Sequence, residues 1–331
     1  MATLCDLPND ILLEILTQHG FSERDINAVS QVNHRLHAIA KRCLYRKNAS
    51  ENRSSALLWA SGTGNLATAL YALEHGGADI NILARGGHNG PLMLASRRGD
   101  LAMVQLLLSK GADPNATDSL HHTALVAAAA NGHETIARRL IDTPMCNIDS
   151  ADFQGKSVLE YAVGVGSEAI VQLLIDKATD LNHQNRSGFT ALAIAARLGH
   201  AAIARLLLRH GADPTLANRT GRVPLHWAAA NSFVSLVRLF LADPRIDVNA
   251  QEHLWPGLRY GPQGWSALFF AVQNGQRIIV KPLLSHPMID PTITDLAGRT
   301  ALMYANELSH LDIAALIEAS CKEKENTNRM A

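Results

Sequence analysis

Residues 190–214 read TALAIAARLGHAAIARLLLRHGADP, and this stretch decides the fold. Thr190 can cap a helix N-terminus with its hydroxyl, and an alanine-rich run follows as far as Leu198. Gly199 then suits the left-handed position at which many helices end. A second apolar run, residues 201–209, leads to the turn sequence GADP. The stretch therefore predicts two short helices followed by a turn.

The same pattern recurs along most of the chain. Its anchor positions lie 33 to 35 residues apart, apart from one step of 43, and they are Ser55, Gly90, Thr123, Ser157, Thr190, Val223, Ser266 and Thr300. Small residues in the first helix of each copy allow close stacking, and leucines in the second helix fill the seam between copies. Because no copy can bury its apolar face alone, we expect the copies to form a solenoid.

The motif VPLHWA at Val223–Ala228 resembles the TPLHxA signature of the ankyrin repeat, with valine in place of threonine. The resemblance extends over about residues 52–319. It implies an all-α solenoid of about eight repeats over residues 55–319, in which helix-turn-helix units are joined by β-hairpin turns. Residues 320–331 are predicted to be a polar tail.

Residues 4–46 do not fit the repeat and predict three short helices. Their pattern, Leu-Pro followed by paired isoleucines and leucines, resembles an F-box. That family docks on the Skp-type adaptor of cullin-RING ubiquitin ligases, and the resemblance assigns adaptor contacts to Leu7, Pro8, Ile11, Ile15, Ile26 and Val32. A short polar linker, residues 47–54, follows. The alternative is a helical cap that shields the apolar edge of the first repeat.

Composition narrows the function. Lys plus Arg and Asp plus Glu each total 30, so bulk electrostatic affinity for nucleic acid or an anionic membrane is not expected. The four cysteines are far apart and indicate a reducing compartment. No secretory signal or membrane-length apolar run is visible, so we expect a cytoplasmic or nuclear protein.

Motifs for catalysis are missing from the sequence. It contains no GxxxxGK[ST], HExxH or GxSxG, and its histidines lack the spacing of metal ligands. We therefore expect no catalytic residues, no metal and no cofactor. Since the partners in a catalytic triad need not be adjacent in sequence, an enzyme with an unrecognised site remains the least favoured alternative.

In ankyrin repeats, partners bind the concave face that the turns and the first helices form. Mapping those positions copy by copy gives candidate partner-binding residues rich in arginine: Arg97, Arg98, Phe153, Arg186, Phe189, Arg197, Arg219, Arg222, Trp265 and Arg299. Arginine pairs well with carboxylates and phosphates, so the predicted partner presents an acidic or phosphorylated segment. The alternative is a scattered, solvated set of arginines.

Two further features bear on binding. The long step between copies adds residues around 253–264, including Trp255, Arg259 and Tyr260, and these residue types dominate interface hot spots. A tolerated loop insertion is the alternative. A second stripe is interpreted mainly as core packed between copies: Trp59, Leu94, Tyr161, Ile194, Trp227, Phe270 and Tyr304.

The resemblances together predict a non-catalytic subunit that recruits a protein substrate to a cullin-RING ubiquitin ligase. The F-box would dock on a Skp-type adaptor and through it on a cullin. The alternative is an ankyrin scaffold or regulator without a role in ubiquitin transfer, in which residues 4–46 are a cap.

Overall fold

The computed structural model describes residue 39, residues 55–253 and residues 264–330, with side chains to residue 324. Residues 55–330 contain eight pairs of short helices within these ranges. The first three pairs are α1 Ser55–Thr63, α2 Leu66–Glu74, α3 Pro91–Arg98, α4 Leu101–Ser109, α5 Ala124–Ala130 and α6 Glu134–Ile141. The other five are α7 Val158–Gly164, α8 Glu168–Asp176, α9 Ala191–Leu198, α10 Ala201–Arg209, α11 Pro224–Ala230, α12 Val234–Leu241, α13 Ala267–Gln273, α14 Arg277–Leu284, α15 Ala301–Glu307 and α16 Leu311–Met330.

The chain divides into two compact units, residues 1–152 and residues 153–331. Within the first unit, the odd-numbered helices α1, α3 and α5 pack in succession, and the even-numbered helices α2, α4 and α6 form a second row. Within the second unit, α7 to α15 and α8 to α16 form the same two rows. Each helix thus contacts its own partner and its neighbours in the row, as predicted for stacked repeats.

The predicted helix starts are largely confirmed. The hydroxyls of Thr123, Ser157, Thr190 and Thr300 each accept a hydrogen bond from a backbone N–H in the first turn of the following helix. Pro91 and Pro224 occupy the first helical position. Ser266 precedes α13, but its side chain makes no capping hydrogen bond. At Val223, which has no hydroxyl, the backbone N–H donates to Nδ1 of His226 instead.

Alanines dominate the buried part of the first-row helices, and leucine and isoleucine dominate that of the second row. In α5, every residue from Ala124 to Ala129 is buried. In the second row, the fully buried side chains include Leu107, Leu140 and Phe240. Small side chains in one row and large ones in the other allow the copies to stack closely while the seam is filled.

Tight turns precede the first-row helices. Asp118, Asn185, Asn218 and Asp295 each accept hydrogen bonds from the backbone N–H groups two and four residues later. In the described residues, the predicted β-hairpin turns appear as isolated bridges, such as Ala84 with His88 and Thr294 with Thr300, without named strands.

The C-terminal residues continue the last helix. The predicted polar tail, residues 320–331, is helical as far as Met330. Lys324 donates hydrogen bonds to the carbonyl oxygens of Pro287 and Ile289, which ties the helix to the loop before the eighth copy. Among the described residues, no helix is long and apolar enough to cross a membrane.

Candidate functional site

Five aromatic rings lie in succession on the first-row helices of the second unit and on the turns before them. We call this set the aromatic ladder; its members are Phe189, Trp227, Phe270, Trp265 and Tyr304. The rings of Phe189 and Trp227 are 5.4 Å apart between centroids, as are those of Trp265 and Phe270 and those of Trp265 and Tyr304. These separations are typical of favourable aromatic packing. Trp265, Phe270 and Tyr304 are buried, whereas Phe189 and Trp227 are half-buried.

Three arginines stack on the aromatic ladder. The guanidinium carbon of Arg197 lies 4.8 Å from the Phe189 ring centroid and 6.0 Å from that of Trp227. Arg222 lies 5.1 Å from Trp227 and 4.6 Å from Phe270. Arg299 lies 4.3 Å from the Tyr304 ring. All three are within the range of cation–π attraction.

Two of these arginines are neutralised by buried carboxylates. Nε of Arg222 donates to Oε2 of Glu252 at 2.6 Å, and Nη2 of Arg299 donates to Oδ2 of Asp295 at 3.0 Å. Burial alone would raise the pKa of Asp295, but hydrogen bonds from the backbone N–H of Arg299 and the hydroxyl of Tyr304 bring that pKa below its ordinary value. Asp295 is therefore ionised and balances the charge of Arg299.

Arg197 has no such partner. Its side chain is exposed at the end of α9, and no carboxylate of the described residues lies within ion-pair distance of it. Within the described part of the chain, the aromatic ladder therefore carries one uncompensated positive charge, at the corner formed by Phe189, Trp227 and Arg197. We call these three residues the Arg197 corner.

The remaining predicted contacts are placed less uniformly. Arg186 and Arg219 are exposed on turns of the second unit, and the Phe153 side chain is 42% exposed. Trp265 was predicted as an exposed contact, but it is only 8% exposed because it packs against Phe269, Phe270 and Tyr304. It is therefore a buried member of the aromatic ladder and offers little free surface.

Other candidates lie in the first unit or outside the described residues. Arg97 and Arg98 are exposed in the last turn of α3, in the first unit, where Nη1 of Arg98 donates to the Gly62 carbonyl oxygen at 3.4 Å. The following candidates fall outside the described residues: Trp255, Arg259, Tyr260, Leu7, Pro8, Ile11, Ile15, Ile26 and Val32.

The predicted core stripe is only partly buried. Ile194, Phe270 and Tyr304 are buried, as expected. Trp59 is 57% exposed, so the core interpretation is wrong for this residue. Trp227 is half-buried, and Arg197 and Arg222 lie over its ring.

Sequence reasoning missed the buried acids. Glu252 lies 30 residues after Arg222, and no local pattern pairs them. Asp295 precedes Arg299 by four residues in a turn, a spacing that could have suggested their contact. The sequence predicted an arginine-rich concave face, with scattered arginines as the alternative, whereas the described ladder holds two ion pairs and one arginine without a carboxylate.

A third buried acid lies at the first copy of the second unit. Glu160 is fully buried at the start of α7, where it forms a capping box with Ser157 and accepts a hydrogen bond from Nδ2 of Asn185 at 2.6 Å. Burial raises its pKa to about 7, although the bonds from Asn185 and Ser157 act in the opposite direction. His226 is also buried, and its pKa is lowered to about 4 by burial.

The chemistry available at this surface is that of binding. Glu160 and His226 have strongly shifted pKa values, but both are enclosed and both hydrogen-bond within the repeat framework. No group of three His, Cys, Asp or Glu side chains in the described residues could hold a metal ion. The Arg197 guanidinium, by contrast, is exposed, and the Phe189 and Trp227 rings beneath it are partly exposed.

Most of the chain matches a known protein family. A family model described as ankyrin repeats (3 copies) matches residues 26–118, 92–185, 166–252 and 254–328. The first match begins inside residues 4–46, and no F-box family model matched the chain.

Several curated proteins are similar to parts of this chain. "Probable E3 ubiquitin-protein ligase XBOS33" of Oryza sativa is 39% identical over 36% of this chain and 23% of its own length. "ARF GTPase-activating protein Git" of Drosophila melanogaster is 42% identical over 24% of this chain and 11% of its own length. "E3 ubiquitin-protein ligase XBAT33" of Arabidopsis thaliana is 38% identical over 27% of this chain and 18% of its own length. The chain thus spans less than a quarter of these relatives.

Proposed function

Because the chain belongs to the ankyrin-repeat family, we propose that it captures a protein partner on the aromatic ladder of its second unit and does no chemistry itself. Ankyrin repeats imply a protein-interaction scaffold. The observation that carries the choice of surface is the Arg197 corner, where an exposed guanidinium is held against two aromatic rings without a carboxylate partner among the described residues. Arginine and tryptophan at such positions are the residue types that dominate interfaces.

We further propose that the captured protein is a substrate for ubiquitin transfer, acidic or phosphorylated where it meets the arginines. Residues 4–46 would dock on a Skp-type adaptor and through it on a cullin. Two observations support this: the F-box resemblance of Leu7, Pro8, Ile11 and Ile15, and the ubiquitin-ligase names of the rice and Arabidopsis relatives. The chain would then hold the substrate near the conjugating enzyme and raise the effective concentration of the substrate there.

A second candidate is an ankyrin scaffold or regulator without a ubiquitin role. The observation that favours it is the ankyrin family match that begins at residue 26, within the segment that resembles an F-box. In this case, residues 4–46 would cap the first repeat.

Adaptor binding separates the two candidates. The full chain would be co-purified with a Skp-type adaptor, alongside the Leu7→Ala/Pro8→Ala double variant. The ligase proposal expects retention of the adaptor by the wild type and its loss by the double variant. An adaptor that fails to bind the folded wild type would leave the scaffold candidate.

Partner capture tests the surface itself. Proteins cross-linked to the full chain would be identified for the wild type, for Arg197→Glu and for Arg205→Glu. Arg205 is a matched control because it is also exposed but lies on α10, in the second row of the same copy. The proposal expects Arg197→Glu to lose a partner that Arg205→Glu and the Leu7→Ala/Pro8→Ala variant retain. Capture of the same partners by Arg197→Glu and also by Phe189→Ala would remove the aromatic ladder from consideration.

A further inference from the structure

The charge pattern of the aromatic ladder narrows the kind of partner. Of the three stacked arginines, Arg222 and Arg299 are paired with buried carboxylates, whereas Arg197 has no carboxylate partner among the described residues. We infer that the Arg197 corner binds one carboxylate side chain, an aspartate or a glutamate, within an extended segment of the partner protein. This inference rests on the proposed function and specifies the chemistry of the recognised segment.

The Arg197 corner is already arranged for this role. Stacking against Phe189 and Trp227 restricts the guanidinium before any partner arrives, so less side-chain entropy is lost on binding. The guanidinium carbon lies over both rings, and the exposed side chain has no hydrogen-bond partner among the described residues, so its N–H donors are available to a partner. Those donors match the two oxygens of a carboxylate in a forked geometry.

The number of free charges favours a carboxylate over a phosphate. A phosphorylated side chain carries nearly two negative charges and is usually met by more than one cation. In the aromatic ladder, the neighbouring cation Arg222 is engaged by Glu252 at 2.6 Å, so one guanidinium remains. A single negative charge is the better complement.

The surroundings of the corner specify the next residue of the partner. Leu198 follows Arg197 on α9, and its side chain is 42% exposed. Phe189, in the corner itself, is half-buried rather than enclosed. An apolar side chain next to the acidic one would cover both surfaces, and its burial would add to the affinity.

The test is a selection from a phage-displayed random peptide library on the immobilised full chain. The expected result for the wild type and for the Arg205→Glu control is enrichment of Asp or Glu at one position beside an apolar residue. Arg197→Glu should lose this enrichment and favour Lys or Arg at the same position. Arg197→Gln should weaken the binding of a selected acidic peptide by about tenfold. The affinity of that peptide for the wild type should fall with rising salt.

Synthetic versions of the selected peptide distinguish the anion. Three peptides would carry Glu, Ser or phosphoserine at the selected position. We expect the Glu peptide to bind at least as tightly as the phosphoserine peptide. The Ser peptide should bind about tenfold more weakly than the Glu peptide. Phosphoserine binding more than tenfold tighter than Glu would overturn the choice of carboxylate. Selection without an acidic preference, or one that Arg197→Glu leaves unchanged, would overturn the inference.

The inference and the proposed function can fail separately. If a cross-linked partner is lost with Phe189→Ala but kept with Arg197→Glu, the aromatic ladder binds protein without recognising a carboxylate. That outcome would overturn the inference and leave the proposed function standing.

Discussion

At the scale of single residues, the buried Glu160 makes stability depend on pH. Its pKa is about 7 in the folded chain, above the ordinary value of 4.5, because burial disfavours the ionised form. The folded state therefore holds a proton that the unfolded chain has released between about pH 4.5 and about pH 7. The contribution of this group to stability is lost as the pH rises through that window, at a cost on the order of 3 kcal/mol.

The variant Glu160→Gln tests this dependence. Glutamine keeps the capping-box geometry without a charge, so the variant should match the wild type near pH 4 and be more stable near pH 8. The measurement is the urea midpoint of both proteins across this range. Protonation of His226, whose folded pKa is lowered to about 4, destabilises both proteins as the pH falls below about 6.5 and cancels in the difference. A difference that does not change with pH would contradict the assignment.

The ion pair of Arg222 and Glu252 should be asymmetric. Side-chain exposure is 28% for Arg222 and 1% for Glu252. Arg222→Gln leaves a buried carboxylate without its cation and should cost about 3 kcal/mol. Glu252→Gln leaves an arginine that can reach water and should cost about 1 kcal/mol. Urea unfolding of both variants and of the double variant forms a cycle, and strictly additive costs would argue against the pair.

At the scale of the helix, the end of α9 has no room for a side chain. Gly199 has a φ of 82°, and a Cβ placed there would lie 2.7 Å from the ring of Phe233. Gly211, after α10, has a φ of 95°, but a Cβ added to it would meet no atom of the described residues within 4 Å. Gly211→Ala should therefore cost only the left-handed strain, about 1 to 2 kcal/mol. Gly199→Ala should cost more, because Phe233 must also shift. Thermal unfolding followed by circular dichroism would rank the two, and equal midpoints would contradict this interpretation of the contact.

At the scale of the whole chain, the fold was predictable because its determinants are local. The caps at Thr123 and Thr190 and the glycine at Gly199 recur in register with the period, so each copy repeats the same short-range chemistry. The candidate site was predictable only in part. The sequence placed Arg197 and Arg222 on one surface, but pairing of Arg222 with Glu252 depends on the packing of the next copy.

The burial of aromatic side chains was also beyond the sequence pattern. Trp59 and Tyr304 occupy equivalent positions in their copies, yet the first is exposed and the second is buried. Tyr304 packs against Trp265 and donates a hydrogen bond to Asp295, whereas no described ring packs against Trp59. The same repeat position thus takes its environment from its neighbours.

Nearest-neighbour stacking also determines how far a local defect spreads. In the second unit, α9 packs on α7, α10 and α11 but is three copies away from α15. Repeat arrays lose stability locally, since each copy is held mainly by the interfaces on its two sides. Hydrogen exchange of Gly199→Ala should therefore accelerate in α7 to α12 and change least in α15 and α16. Ala305→Gly, a substitution within the buried face of α15, should produce the reverse pattern. Uniform acceleration across residues 158–324 in both variants would instead mean that the second unit opens as one cooperative body.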